Sequence, residues 1–283
     1  MCNGSTADSG SACGGSNPPW GKLGSPVFYK KILDLKNPFN APIYHEETVS
    51  STMETARVLA GQNEVHGTVI IADFQEAGKG RTGRSWATER GKNLMFTILL
   101  RYQDSIPEAL SLRTGLAVSL ALVDLIPGLS GSVQVKWPND IMIGSRKAAG
   151  ILCEGDGKNV YIGVGVNVAQ REFPEDFRSK AISIIQAFPG LGENARFMLL
   201  EKILLRLYDE IEAQGPMNGF WQARLVSRLY KRGEQVSFAP GAADSNYTIE
   251  GILSGIGPGG ELLILPRGQE KEQAFVTGEL RVY

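Results

Sequence analysis

The sequence predicts a mixed α/β domain followed by a small all-β module, and three features of its patterning point there. Between residues 51 and 230, short β-branched runs alternate with longer segments whose apolar residues recur at helical spacing. After residue 232 the pattern becomes short alternating runs separated by Gly, Pro and Asp turns, repeating about every ten residues as in a small barrel. Residues 1–27 are rich in Gly, Ser, Asn and Pro, and they read as a disordered leader that buries too little surface to offset its ordering entropy. The expected division is therefore a leader over 1–27, a main domain over 28–231 and a small β domain over 232–283.

Each element has its own local reason. Ser51 and Glu54 have capping-box spacing, and a helix is expected over 53–59, ending near Gly61. Residues 68–72 are β-branched and apolar, a buried strand, and 93–102 form a second one. Pro107 is expected to open a long helix that runs to Leu125, where Pro127-Gly128 breaks it. A strand over 133–137 leads into a Pro-Asn-Asp turn. Residues 141–143 and 148–154 pair as a hairpin across Gly144-Ser145, and 160–167 make a further strand whose glycines let a ligand lie close. Two helices fill 194–230, and four strands follow at 235–238, 247–253, 261–265 and 273–276.

Composition excludes several classes of function. The apolar fraction of 42% and charged fraction of 21% are ordinary, so a sizeable core is expected. A net charge of -1 gives no broad basic face, and no DNA partner is expected. Cys2, Cys13 and Cys153 form no CxxC pair and no even framework, which suits free thiols in a reducing cytoplasm. His45 and His66 are the only histidines, so a zinc site or a histidine-based triad is not expected and both read as solvated or structural. No apolar run is long enough to span a bilayer, and the leader has neither the cationic start nor the apolar centre of a secretory signal.

The chemistry concentrates in four short motifs. Gln75 to Trp86 reads QEAGKGRTGRSW: glycines let backbone amides approach a ligand, and Lys79, Arg81 and Arg84 bring cationic heads to the same loop. Its Gly78-x-Gly80-x-x-Gly83 spacing fits a dinucleotide fingerprint, but no apolar helix follows, and Asp73 occupies the first glycine position of a P-loop. The second motif is Lys136-Trp137-Pro138-Asn139-Asp140, able to meet a nucleobase edge or a metal, or equally an ordinary turn with a packed indole. The third is Lys147-Ala148-Ala149-Gly150, a lysine at a strand start that serves a pocket or merely solvates the strand end. The fourth, Gly163-Val164-Gly165-Val166-Asn167, is also readable as a plain glycine-bearing strand.

Taken in order, Ser51-Thr52, GKGRTGRSW, KWPND, KAAG and GVGVN resemble the biotin protein ligases, closely over 44–167 and more loosely beyond. The resemblance implies an α/β fold like that of class II aminoacyl-tRNA synthetases, a mixed sheet flanked by helices, with an SH3-like barrel behind it. It also implies the monofunctional form, because the polar leader is unlike the DNA-binding domain some members carry. The implied substrates are biotin and ATP with Mg²⁺, the partner is the acceptor domain of a biotin-dependent carboxylase, and a homodimer is allowed for. Biotin becomes biotinyl-5′-AMP and is then passed to an acceptor lysine.

By the same resemblance, Ser51, Thr52 and Gln75 contact the ureido ring, with Gly78 and Gly150 also at biotin. Lys79 and Arg81 hold the carboxylate and α-phosphate, and Arg84 supports the loop. Trp86 covers adenine, which Asn139 meets, while Lys136 and Asp140 line the phosphate side with Asp140 the candidate metal ligand. Lys147 stabilises charge in both steps, and Gly165 and Asn167 shape the floor. Lys79 departs from the family, which often has Arg there, so a point charge replaces a fork. The rival readings are a lipoate or octanoate ligase, a non-catalytic ligand-binding relative and a nucleic-acid module; the GKGR and KWPND pair favours biotin.

Overall fold

In the computed structural model, residues 30–31, 35–86, 88–192, 195–213, 220–241 and 247–281 are described, so the leader expected over 1–27 lies outside them. The chain runs β1 (Lys30–Lys31), β2 (Ile43–Glu46), α1 (Thr52–Gly61), β3 (Thr68–Ala72), β4 (Leu94–Arg101), α2 (Leu110–Leu125), β5 (Val133–Lys136), β6 (Asp140–Ile143), β7 (Arg146–Asp156) and β8 (Asn159–Val166). Then come α3 (Glu175–Arg178), α4 (Ile184–Ala187), α5 (Ala195–Ile211), α6 (Trp221–Val226), and strands β9 (Gln235–Pro240), β10 (Ile249–Ile256), β11 (Leu262–Pro266), β12 (Gln273–Phe275) and β13 (Gly278–Arg281). The first eight strands form one mixed sheet in the order β1-β2-β3-β4-β8-β7-β6-β5. Only β2 and β3, which α1 connects, run parallel; the other pairs are antiparallel.

Side chains alternate across this sheet with a period of two, and the two faces are covered unequally. Val69, Ile71, Phe96, Ile98, Leu100, Ile162 and Val164 share one core with Leu116 of α2 and Leu200 and Leu204 of α5. Ile70, Leu99 and Tyr161 form a smaller cluster with Met53, Ala56 and Leu59 of α1. The long helices α2 and α5, of 16 and 17 residues, cover the first face, whereas α1 has only 10 residues for the second. The uncovered remainder of the second face is where the glycines of β7 and β8 lie.

The other five strands form a separate antiparallel sheet in the order β12-β11-β10-β9-β13. It packs directly on the larger one. Trp137 Nε1 donates to the Gly260 carbonyl at 3.0 Å, its ring meets Phe238 edge-on, and one apolar core runs from Leu112 and Leu116 to Phe238, Leu253 and Ile264. No described helix is long and apolar enough to cross a membrane.

Several local expectations need correction. Ser51 caps α1 by accepting from Met53 N–H, but Glu54 turns outward to Lys79, so the capping box is not completed there. Helix α2 starts at Leu110 rather than Pro107, because Ala109 takes a left-handed conformation (φ 50°) outside the helical range. Of the two helices expected over 194–230, α6 has only six residues. Strands β2 and β13 were not anticipated, being four residues each and mixed in polarity. Both histidines are structural: His45 Nε2 lies 2.9 Å from Asp73 Oδ1, which Arg196 also holds, and His66 Nδ1 accepts from Arg101 N–H.

Candidate active site

The site begins with missing side chains. Gly163 and Gly165 sit two apart on β8 and so share a face; Gly165 is opposite Gly150 of β7, and Gly163 is opposite Leu152 of β7 and Thr97 of β4. A Cβ added at Gly165 would come within 2.6 Å of the Trp86 ring, and one at Gly150 within 3.1 Å of both Trp86 and Lys147 Nζ. These glycines floor a cleft lined among others by Ser51, Thr52, Gln75, Arg81, Trp86, Asn139 and Lys147.

One end of the cleft is polar and uncharged. The β-region backbone of Ser51 starts α1, so the Ser51 and Thr52 side chains arrive together at the helix N-terminus, both almost fully buried. Gln75, at the exit of β3, accepts from Thr52 N–H at 2.8 Å and from the Thr52 hydroxyl at 3.0 Å. Asp73, two residues earlier, is held below the ordinary carboxyl value: burial raises it, but hydrogen bonds from His45 and Arg196 outweigh that.

The other end is cationic. Lys147 Nζ lies 2.6 Å from Asp140 Oδ1, an ion pair between the starts of β7 and β6. Lys136 is 5% exposed, and burial pushes its ammonium below the ordinary lysine value despite the nearby Asp140 and Glu279 carboxylates. Arg81 Nη1 donates to Asn139 Oδ1 at 3.2 Å, while Asn139 Nδ2 donates to the Ile151 carbonyl at 2.8 Å. Asn139 therefore ties the turn to β7 and to the loop, with both ends of its amide engaged.

The glycine-basic loop folds back on itself as the cleft's wall. Trp86 N–H donates to the Gly78 carbonyl at 2.9 Å, and residues Arg81–Gly83 make one 3₁₀ turn. The Trp86 indole lies on Gly150 and Gly165, with Lys147 Nζ 5.6 Å from its ring centroid. Its Nε1 is buried with no hydrogen-bond partner among the described residues, a donor that calls for an acceptor.

The structure thus gathers most of the residues singled out from sequence, and separates a few. Lys79 reaches the cleft rim, but its ammonium sits on Glu54 Oε1 at 2.6 Å, and that hydrogen bond raises Lys79 and lowers Glu54 from their ordinary values. Arg84 points away, forming a two-pronged pair with Glu279 of β13 at 3.0 and 2.8 Å, and this pair holds the Glu279 carboxyl below its ordinary value. Asn167 is buried behind the floor, making long contacts to the Lys147 and Ile182 carbonyls. Sequence reasoning gave no site role to the lining residues Met53, Phe96 and Leu152. Gly163 stood in the fourth motif as a glycine a ligand can approach, and it lines the cleft two residues from Gly165 on the same strand. Among the described residues no group of three or more His, Cys, Asp or Glu side chains is arranged to hold a metal.

Comparison with known proteins places this site in a context. Residues 46–167 match the pattern of the Biotin/lipoate A/B protein ligase family. The biotin–acetyl-CoA-carboxylase ligase of Paracoccus denitrificans is 31% identical over 225 residues, covering 75% of this chain and 88% of that protein. The bifunctional ligase/repressor BirA of Bacillus subtilis is 33% identical over 231 residues, covering 78% of this chain and 68% of that protein. Among solved structures, the biotin protein ligase of Aquifex aeolicus in complex with biotin and ATP superposes with a TM-score of 0.69 at 28% identity, covering 84% of this chain and 97% of that one.

Proposed function

The chain belongs to the biotin protein ligase family, and from that membership we propose that it activates biotin as biotinyl-5′-AMP and transfers the biotinyl group to a lysine on a carboxylase acceptor domain. The observation that carries this reading is the division of one cleft into an uncharged polar end, at Ser51, Thr52 and Gln75, and a cationic end, at Arg81 and Lys147, across a glycine floor. A ligand with a neutral hydrogen-bonding ring at one extremity and an anion at the other matches both. The finer fold assignments, class II synthetase-like for the main sheet and SH3-like for the second, belong to the same reading.

In the first step a biotin carboxylate oxygen attacks the α-phosphorus of ATP, and the bond to the β-phosphate oxygen breaks, releasing pyrophosphate. Three anionic groups must approach one another, so fixed cations do most of the work. Lys147 and Arg81 supply them, Lys147 by exchanging the Asp140 carboxylate for ligand oxygens. Lys136, buried and paired opposite Asp140 across β5 and β6, keeps that end positive. In the second step the acceptor amine attacks the anhydride carbonyl carbon, the bond to the AMP oxygen breaks, and the ammonium proton is lost to solvent. Lys147 again faces the leaving phosphate. Trp86 closes the cleft as a lid and limits hydrolysis of the anhydride.

Mg²⁺ bound with the ATP phosphates neutralises part of their charge. A single carboxylate is enough for an ion that keeps its waters and substrate phosphates, and Asp140 fits that part. The test is incubation with biotin, ATP, Mg²⁺ and an isolated carboxylase acceptor domain, read by intact mass. One biotinyl group on one lysine, absent without ATP, is expected. A label from lipoate or octanoate but none from biotin would replace this reading with that of a lipoate ligase.

A further inference from the structure

We propose that Thr97, a side chain outside the cleft, is a positioning residue for biotin recognition, acting through Thr52 to orient the Gln75 amide. The inference rests on the biotin reading above and concerns how its uncharged end is built. Thr97 lies at the middle of β4, fully buried, opposite Ile70 of β3 and Gly163 of β8. Its hydroxyl is 2.9 Å from the Thr52 hydroxyl.

The direction of every proton in this chain is forced from one fixed point. Thr52 N–H is a backbone donor, so the Gln75 atom 2.8 Å from it is the carbonyl oxygen, Oε1. That oxygen carries no proton, so the Thr52 hydroxyl, 3.0 Å away, must donate to it. Having used its only proton there, Thr52 can only accept from Thr97. Thr97 thus holds the Thr52 hydroxyl on Gln75, and Gln75 takes two hydrogen bonds on Oε1. A rotated amide would face Thr52 N–H with a second donor, so the relay locks one orientation.

The consequence is read at the cleft. The Gln75 NH₂ group is turned away from Thr52, and among the described residues it donates to the weakly accepting Met95 Sδ at 3.4 Å, an acceptor shared with the Thr88 hydroxyl. Ser51 Oγ accepts from Met53 N–H, which leaves the Ser51 proton to donate. The end of the cleft therefore offers donors from Gln75 and Ser51, the complement of a ureido carbonyl oxygen. A dithiolane ring presents only weakly accepting sulfur to them. A buried neutral relay of this kind sets which ring is accepted without touching it.

The experiment is steady-state pyrophosphate exchange with Thr97→Val, which keeps the shape and removes the hydroxyl. The KM for biotin is expected to rise about fivefold, the order for losing one buried hydrogen bond, with kcat and the KM for ATP unchanged. Preference for biotin over 2-iminobiotin, whose imine replaces the ureido oxygen, should fall by a similar factor, and Thr97→Ser should restore both. A valine variant with wild-type biotin KM and wild-type preference overturns the proposal, as does a serine variant as impaired as the valine one. If the valine variant does not fold, Thr97→Cys reads the same split with a weakened donor. Absence of biotin exchange in the unaltered protein would instead sink the ligase reading itself.

Discussion

At one end of the cleft, Thr52, Thr97 and Gln75 are neutral groups joined by hydrogen bonds of 2.8 to 3.0 Å, two of them nearly or fully buried. At the other, Lys147 rests on the Asp140 carboxylate; Lys79 at the rim and Arg84, which points away from the cleft, rest on Glu54 and Glu279, and these last two pairs are substantially exposed. The difference separates recognition from chemistry. A buried neutral relay has one low-energy arrangement, so it discriminates by shape and proton direction. An ion pair at a wet rim is screened by solvent and weak, so an anionic ligand can replace the carboxylate at little cost. Lys147 stands between these extremes, being half-buried and paired at 2.6 Å, and it is the cation whose exchange of partner matters most.

Removing the central cation breaks the contrast most severely. Lys147→Ala is expected to lower kcat for biotin-dependent exchange by about a thousandfold, the scale of losing one charge stabiliser, while circular dichroism shows an unchanged fold. Near-normal exchange in that variant would transfer the role elsewhere. Next in size is the floor. Gly165→Ala puts a Cβ 2.6 Å from the Trp86 ring, and the displaced indole and ligand are expected to cut biotin affinity by about two orders of magnitude, measured by calorimetry. Unchanged affinity would show that the indole moves freely off the floor.

Lys136 gives a pH test of the cationic end. Burial depresses its value below 10.5, so it loses its proton earlier than a free lysine as pH rises, and first-step exchange should decline at a pH below that ordinary value. Lys136→Arg should move that decline to higher pH; an unmoved profile would detach it from Lys136. The smallest effect is expected at the Arg84–Glu279 pair. Glu279→Gln frees Arg84 and removes a negative charge, so it should lower the KM for ATP only about twofold, more at low salt than at high. The Glu279 carboxyl is held below 4.5 in the fold, so the stability the pair adds is complete above that value and is lost as pH falls through the lower, folded value. A thermal scan of wild type against Glu279→Gln should therefore converge in acid.

How much of this was legible in the sequence depended on range. Strand β3 was readable to the residue, because 68–71 is an unbroken β-branched run closed by an apolar Ala72, and the floor glycines stood out at a spacing of two. Asp140 stood out in the KWPND motif, but the other two carboxylates that hold cations were not readable. Glu279 is 195 residues from Arg84, and Glu54 looked like a capping residue when its partner was Lys79 in another loop. Thr97 was invisible for a different reason: one hydroxyl in a strand of apolar neighbours carries no local signal, and its role exists only through Thr52 and Gln75. Strand β13 was missed because only pairing with β9 makes Gly278–Arg281 extended.

The central claim is that one cleft joins an uncharged ring-reading end to a cationic phosphate end. Exchange of labelled pyrophosphate into ATP, measured with biotin and separately with lipoate, tests it most directly. Exchange that requires biotin and is negligible with lipoate is the predicted result. Equal exchange with both compounds, or none with biotin, would contradict it.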